Sequence, residues 1–231
     1  MSATLSIVIP AYNEERFIGT LLEKIAAVDL SNLDLTKEVI VVDDGSKDRT
    51  VEIASAVAGV RVHRMPVNGG KGSAVRAGIG LATGELLIIQ DADLEYDPND
   101  YLPMVQALRA GRGDVVYGSR YLGRGRHANQ SLAAYLGGRS LSLVALVFTG
   151  RYLTDTVTAY KLFRRADLTG LTLETRGFEL DHELTAKLAA RGLKIVEVPI
   201  GYQPRSRDEG KKIGPKDWFR AIATFARYRN G

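Results

Sequence analysis

The chain has 231 residues, 45% of them apolar, no cysteine, and 31 Lys/Arg against 27 Asp/Glu for a formal charge of +4. That apolar fraction is ample for the core of one large domain, and the missing cysteines exclude disulfides and thiolate metal sites, in keeping with a reducing compartment. The basic surplus is local: Gln203 to Gly231 carries eight Lys/Arg against three Asp/Glu, leaving the first 202 residues at −1.

Thr4 to Pro10 is predicted as a buried strand, and no basic stretch precedes it, so no export signal is expected. Ala11-Tyr12-Asn13-Glu14-Glu15 then opens a helix whose Phe17, Ile18, Leu21, Leu22 and Ile25 fall on one side, the spacing of a core-facing stripe. Val39 to Val42 is a second strand ending in Asp43-Asp44-Gly45-Ser46, where Ser46 or Asp48 can cap the next helix. Val60 to Arg64 is a third strand, Gly72 to Ala82 a helix and Leu86 to Gln90 a fourth strand. This β-α-β-α-β-α-β order implies an α/β fold, a mostly parallel sheet covered by helices on both faces with right-handed crossovers. Ligands of such sheets bind beyond the carboxyl ends of the strands.

The fourth strand runs into Gln90-Asp91-Ala92-Asp93-Leu94-Glu95. Side chains alternate along an extended chain, so Asp91 and Asp93 leave the same side, joined by Glu95 if that geometry persists. Mg²⁺ or Mn²⁺ takes such oxygen ligands, commonly one or two carboxylates with phosphates and water. A solvated turn in which Asp97 caps the next helix is the alternative. Asn68-Gly69-Gly70-Lys71-Gly72 has neither Walker A nor Gly-x-Gly-x-x-Gly spacing. Its glycines let backbone approach a ligand and expose amides at a helix start, with Lys71 adding a charge for phosphate; a flexible turn is the simpler reading.

Asp114 to Tyr117 is a fifth strand, followed by an apolar helix over Leu132 to Thr149 with Arg139 inside it. Such an arginine pairs with a carboxylate or phosphate, or snorkels to solvent. The apolar run Leu141 to Phe148 is far too short to span a bilayer. A helix opens at Gly177, where Asp181 and Glu183, two residues apart, point to different sides; His182 between them reads as structural. Ile195 to Ile200 is the last strand. A basic loop with Arg205, Arg207, Lys211 and Lys212 leads to a helix from Pro215, whose Trp218, Phe219, Ile222 and Phe225 oppose Arg220 and Arg227. This basic amphipathic helix lies in a membrane interface or packs back on the body. No nucleic-acid-binding motif accompanies the charge.

Ile9-Pro10-Ala11-Tyr12-Asn13-Glu14, Val42-Asp43-Asp44-Gly45-Ser46, Gly70-Lys71-Gly72, Asp91-Ala92-Asp93 and Gly118-Ser119-Arg120-Tyr121 stand in the order seen in family 2 glycosyltransferases of the GT-A (Rossmann-like) fold. From Leu5 to Pro199 the chain resembles dolichyl-phosphate mannose synthases, dolichyl-phosphate glucosyltransferases and their bacterial polyprenyl-phosphate relatives. The resemblance implies a catalytic domain over 1–200, with a nucleotide-sugar half (1–118) and an acceptor half (119–200), and an appendage over 201–231. It places Pro10, Tyr12, Glu14, Asp43 and Asp44 about the base and ribose, and Lys71 and Gly72 near the nucleotide or donor sugar. Asp91, Ala92 and Asp93 match the Asp-x-Asp motif that holds Mg²⁺ or Mn²⁺ on the donor diphosphate, with Glu95 where a third ligand often stands. Arg120 belongs to the Gly-Ser-Arg signature, Asp155 to a segment that orders the catalytic floor, and Asp181 or Glu183 to an acid near the acceptor.

The activity implied is inverting, metal-dependent transfer from a UDP-glucose or GDP-mannose type donor to a polyprenyl phosphate. Lys71 to Arg76 is closer to the glucosyltransferases and tilts the donor to UDP-glucose. A hydroxyl acceptor, or a binding module without turnover, are the alternatives. A cytoplasmic protein, peripheral on the membrane through its tail, is expected; oligomeric state is not legible.

Overall fold

The computed structural model describes residues 3–122, 132–204 and 215–231. In chain order these form β1 (Ala3–Ala11), α1 (Ile18–Ala27), β2 (Leu35–Asp43), α2 (Thr50–Ser55), β3 (Val60–Arg64), α3 (Lys71–Leu81) and β4 (Leu86–Ile89). Then come α4 (Tyr101–Arg109), β5 (Val115–Ser119), α5 (Leu132–Thr149), β6 (Lys161–Arg164), α6 (Leu180–Ala190), β7 (Ile195–Pro199) and α7 (Pro215–Tyr228).

The seven strands make one sheet in the order β3-β2-β1-β4-β6-β5-β7. Pairing is parallel throughout except at β6, which runs against both β4 and β5. Alternation along each strand divides the apolar side chains between two cores. Leu5, Ile7 and Ile9 of β1 face Ile18, Leu21 and Leu22 of α1 and Met104 and Val105 of α4, whereas Val8 joins Ala74 and Val75 of α3 and Leu184 and Leu188 of α6. The helices therefore cover both faces, as expected, and runs buried on both sides explain why the strands read as nearly unbroken apolar stretches.

Two expectations need correction. The first helix begins at Ile18, not at Ala11, because Asn13 adopts a left-handed φ of 55° and the amides of Phe17 and Ile18 converge on the Glu14 carbonyl. The sequence reading also has no strand at Lys161–Arg164. This four-residue β6 inserts between β4 and β5, and its reversal brings Lys161, paired in register with Tyr117, to the edge where the parallel strands end.

The last helix packs on the body. Phe225 is fully buried against Ala145 and Ala186, and the Trp218 indole donates to Ser140 Oγ at 2.8 Å, while Phe219 stays 68% exposed. The loop residues Arg205, Arg207, Lys211 and Lys212 lie outside the described residues. Among the described residues no helix is long and apolar enough to cross a membrane. On α5, by contrast, Leu132, Leu136, Leu143, Leu146 and Val147 are exposed at spacings that put them on one helix face.

Candidate functional site

Register places Ala11 beside Asp43, so the loops after β1 and β2 leave the sheet together and are stitched to each other. The Asn13 amide donates to Ser46 Oγ (2.9 Å), the Lys47 amide to Asn13 Oδ1 (2.9 Å), and the Glu14 amide to Thr50 Oγ1 (2.8 Å). Buried Asp43 accepts the Ser46 amide at 3.2 Å and has the Arg64 guanidinium at 3.6 Å. Asp48 accepts the amides of Thr50 and Glu15. Pro10 is buried and Tyr12 and Glu14 half-buried on this floor.

Asp44 accepts the amides of Gly69 and Gly70, each at 2.7 Å. The glycine cluster thus differs from its sequence reading: two of its amides are committed to a carboxylate of the chain. Gly70 has φ +89°, and a Cβ there would meet the Arg176 carbonyl oxygen at 2.5 Å; a Cβ on Gly72 would meet that of Thr175 at 2.7 Å. These glycines admit the 174–177 loop, to which the Ser73 amide donates at 3.2 Å.

Beyond β4 the chain bends, so Asp91 and Asp93 do not continue an extended strand. Asp91 receives the Lys71 ammonium at 2.7 Å. Asp93, 5% exposed, accepts the Glu95 amide at 3.0 Å, and Ala92 between them is buried. Glu95 accepts the Tyr202 hydroxyl at 3.1 Å. Underneath, Gln90 Oε1 accepts the hydroxyls of Tyr101 (2.5 Å) and Tyr160 (2.6 Å), its amide donates to the Asp91 carbonyl (2.9 Å), and Tyr96 stacks on Tyr160. Burial pushes the phenols of Tyr96, Tyr101 and Tyr160 far up, so they stay neutral donors.

Asp181, at the start of α6, completes the cluster: Lys161 Nζ lies 2.5 Å from its carboxylate and Lys71 Nζ 3.9 Å. Burial works against this carboxylate's charge, but Lys161 and then Lys71 outweigh it and hold its pKa below the usual range. Fully buried Lys161 is pushed down by desolvation against the pull of Asp181, and sits 5.0 Å from the centre of the Tyr117 ring.

Arg120 grips Asp155 with its fork, Nε at 2.6 Å and Nη2 at 2.8 Å, and its amide donates to the same carboxylate. Glu197 fixes that loop by accepting the amides of Thr154 and Asp155. Of the partners the sequence reading left open for Arg139, a carboxylate is not found among the described residues: it donates to the Thr154 carbonyl (3.1 Å) and the Tyr152 hydroxyl. Glu183 is also redirected. Its fully buried carboxylate accepts the amides of Glu174 and Thr175, the Thr175 hydroxyl and the Lys187 ammonium, so it braces the 174–177 loop and Asp181 alone of the pair joins the cluster. His182 is buried against Phe225 and pushed down to about 4 by desolvation, a structural residue.

Sequence reasoning gave Lys161, the basic residue of the Asp155 segment, and Gln90 no role of their own. A lysine in the otherwise apolar run Tyr160-Lys161-Leu162-Phe163 is the signal that points to the former, since an unpaired buried ammonium is costly. For a metal, the donor set is hard: Asp91 and Asp93 offer only carboxylate oxygen, and among the described residues no three His, Cys, Asp or Glu groups form a metal-holding cluster. Glu95 is thus not gathered with the two aspartates. Two carboxylates with remaining positions left to phosphate and water fit Mg²⁺ or Mn²⁺.

Comparison with known proteins gives the family and its relatives. The model for the family described as Glycosyl transferase family 2 matches residues 6–168. A dolichol-phosphate mannosyltransferase of Pyrococcus furiosus is 31% identical over 215 residues, 91% of this chain and 59% of the relative. An undecaprenyl-phosphate mannosyltransferase of Micrococcus luteus is 31% identical over 217 residues, 90% of this chain and 86% of that one. Among solved structures, glucosyl-3-phosphoglycerate synthase of Mycobacterium tuberculosis, in complex with Mn²⁺, UDP and glucosyl-3-phosphoglycerate, superposes with TM-score 0.73 at 26% identity, covering 99% of this chain and 80% of that one.

Proposed function

The chain belongs to glycosyl transferase family 2, and from that premise we propose that it is a metal-dependent, inverting glycosyltransferase that moves a sugar from a UDP-glucose or GDP-mannose type donor to a polyprenyl phosphate. Residues 1–118 hold the donor and 119–200 the acceptor. In this reading Pro10, Tyr12, Glu14, Asp43 and Asp44 surround base and ribose, Lys71 and Gly72 border the diphosphate, and Asp91 and Asp93 hold Mg²⁺ or Mn²⁺. A divalent cation there offsets charge on the departing nucleoside diphosphate. Arg120 and Arg139 supply positive charge for the acceptor phosphate.

One observation carries the choice of acceptor: Asp181 is locked between two lysines with its pKa below the usual range. A hydroxyl acceptor needs a general base whose pKa lies near the working pH, and Asp181 is a poor one. A lipid phosphate, with a second pKa of about 6, is already mostly dianionic and needs none. The exposed leucines of α5, on the helix that carries Arg139, support a lipid surface beside the site. We place the protein at the cytoplasmic membrane face, with the basic tail as a further contact. The likeness to glucosyl-3-phosphoglycerate synthase favours a second reading, a hydroxyl on a small anionic acceptor.

The test is transfer of labelled sugar from UDP- and GDP-sugars into organic-extractable lipid, with and without Mn²⁺. Metal-dependent label that is lost in Arg139→Ala and survives in Asp181→Asn at reduced level supports the lipid phosphate. Label appearing only on water-soluble acceptors, and abolished in Asp181→Asn, overturns it.

A further inference from the structure

Lys71 is in an unusual position for a residue assigned only to phosphate. It is the first residue of α3, its ammonium is 2.7 Å from Asp91, 3.9 Å from Asp181 and 5.7 Å from the centre of the Phe178 ring, and its side chain is only 16% exposed. The carboxylate it occupies is one of the two offered to the metal. A dication on Asp91 and an ammonium on the same group repel each other, so the two compete for it.

We propose that Lys71 is a resident counter-cation of Asp91 that the divalent metal displaces, and that the donor diphosphate receives the displaced ammonium, so that metal and nucleotide bind cooperatively through this side chain. The inference rests on the donor reading above and adds a coupling to it. The destination follows from charge. Asp181 is the nearest other carboxylate, but Lys161 already stands 2.5 Å from it, and a second ammonium in full contact there brings two like charges together. A diphosphate is the anion the site otherwise lacks, and lysine's flexible stem and compact charge suit it to move from carboxylate to phosphate. Counting Asp91 and Asp181 against Lys71 and Lys161, the ion-pair cluster is neutral before ligands arrive. Adding a dication alone leaves it net positive; adding the diphosphate with it restores the balance. Each ligand therefore favours the other, as linkage requires.

The experiment measures Mn²⁺ binding to the full chain by calorimetry, alone and with UDP, for wild type, Lys71→Gln and Lys71→Arg, with thermal melting as a second readout. Lys71→Gln is expected to bind Mn²⁺ alone about tenfold tighter than wild type, with the tightening by UDP about tenfold smaller. Its melting temperature is expected to rise more on adding Mn²⁺ alone. Lys71→Arg, which keeps the charge, is expected to bind Mn²⁺ alone as weakly as wild type. Unchanged Mn²⁺ affinity in folded Lys71→Gln, with UDP-dependent Mn²⁺ binding intact, overturns the coupling and leaves the donor reading standing. Absence of Mn²⁺ binding to wild type even with UDP overturns both.

Discussion

The acids on the two sides of the site do different physical work. Around the ends of β1 and β2, Asp43, Asp44 and Asp48 accept backbone amides and so fix the shape of loops. Around the ends of β4 and β5, Asp91, Asp155 and Asp181 hold the side-chain cations Lys71, Arg120 and Lys161. An amide belongs to the frame and cannot leave, whereas a cation on a long side chain can be exchanged for one brought by a ligand. The first arrangement suits a rigid pocket for a nucleoside, and the second a place where charge arrives and departs.

The sharpest way to break this comparison is to change the acids that would hold exchangeable charge. Asp91→Asn and Asp93→Asn, each keeping its shape, are expected to lower metal-dependent transfer about a thousandfold, the effect of losing several kcal/mol of charge stabilisation. Near-normal kcat/KM in both variants removes the metal assignment. A second effect lies behind the cation side. His182 has a folded pKa of about 4, depressed by burial below its ordinary 6.5. The unfolded chain therefore takes up the proton first, so this contribution is complete above about pH 6.5 and falls by about 3 kcal/mol as pH drops toward 4. Denaturant unfolding across that range reads the slope, and His182→Gln is expected to flatten it.

A smaller effect joins the two sides. Gly72→Ala puts a Cβ against the Thr175 carbonyl, and is expected to cost about 2 kcal/mol while loosening Mn²⁺-dependent UDP binding; a melting curve identical to wild type denies that contact. Smallest is the outer face of α5. Leu136→Glu and Leu143→Glu are expected to reduce transfer to polyprenyl phosphate in vesicles about tenfold, the equivalent of about 1.4 kcal/mol, with UDP binding unchanged. Equal loss with a water-soluble acceptor places the effect elsewhere.

The rigid side was the more legible in the sequence. Its strands are apolar runs followed directly by polar residues and acids, and local order sufficed to align Pro10 and Asp43 with one sheet edge. Contacts distant in sequence were not legible. Nothing local says that Gly70 and Gly72 make room for a loop a hundred residues on, or that Glu183 turns to Glu174 and Thr175 while Asp181 meets Lys161. Neighbouring residues on a helix differ only by rotation, and the partner that decides which faces the site belongs to another strand. Arg139 shows the same limit: its helix was legible, and its bond to the Thr154 carbonyl depends on a loop with no periodicity. β6 went unseen because four residues, two of them charged, make no recognisable pattern.

That short strand has a kinetic consequence. β1 and β2 pair over nine residues, whereas β6 meets β4 and β5 over three each. Amide hydrogens on β6 are therefore expected to exchange through smaller openings than those of β1. Each such opening carries Lys161 away from Asp181, so the shortest pairings of the sheet also hold one of the buried charges of the site.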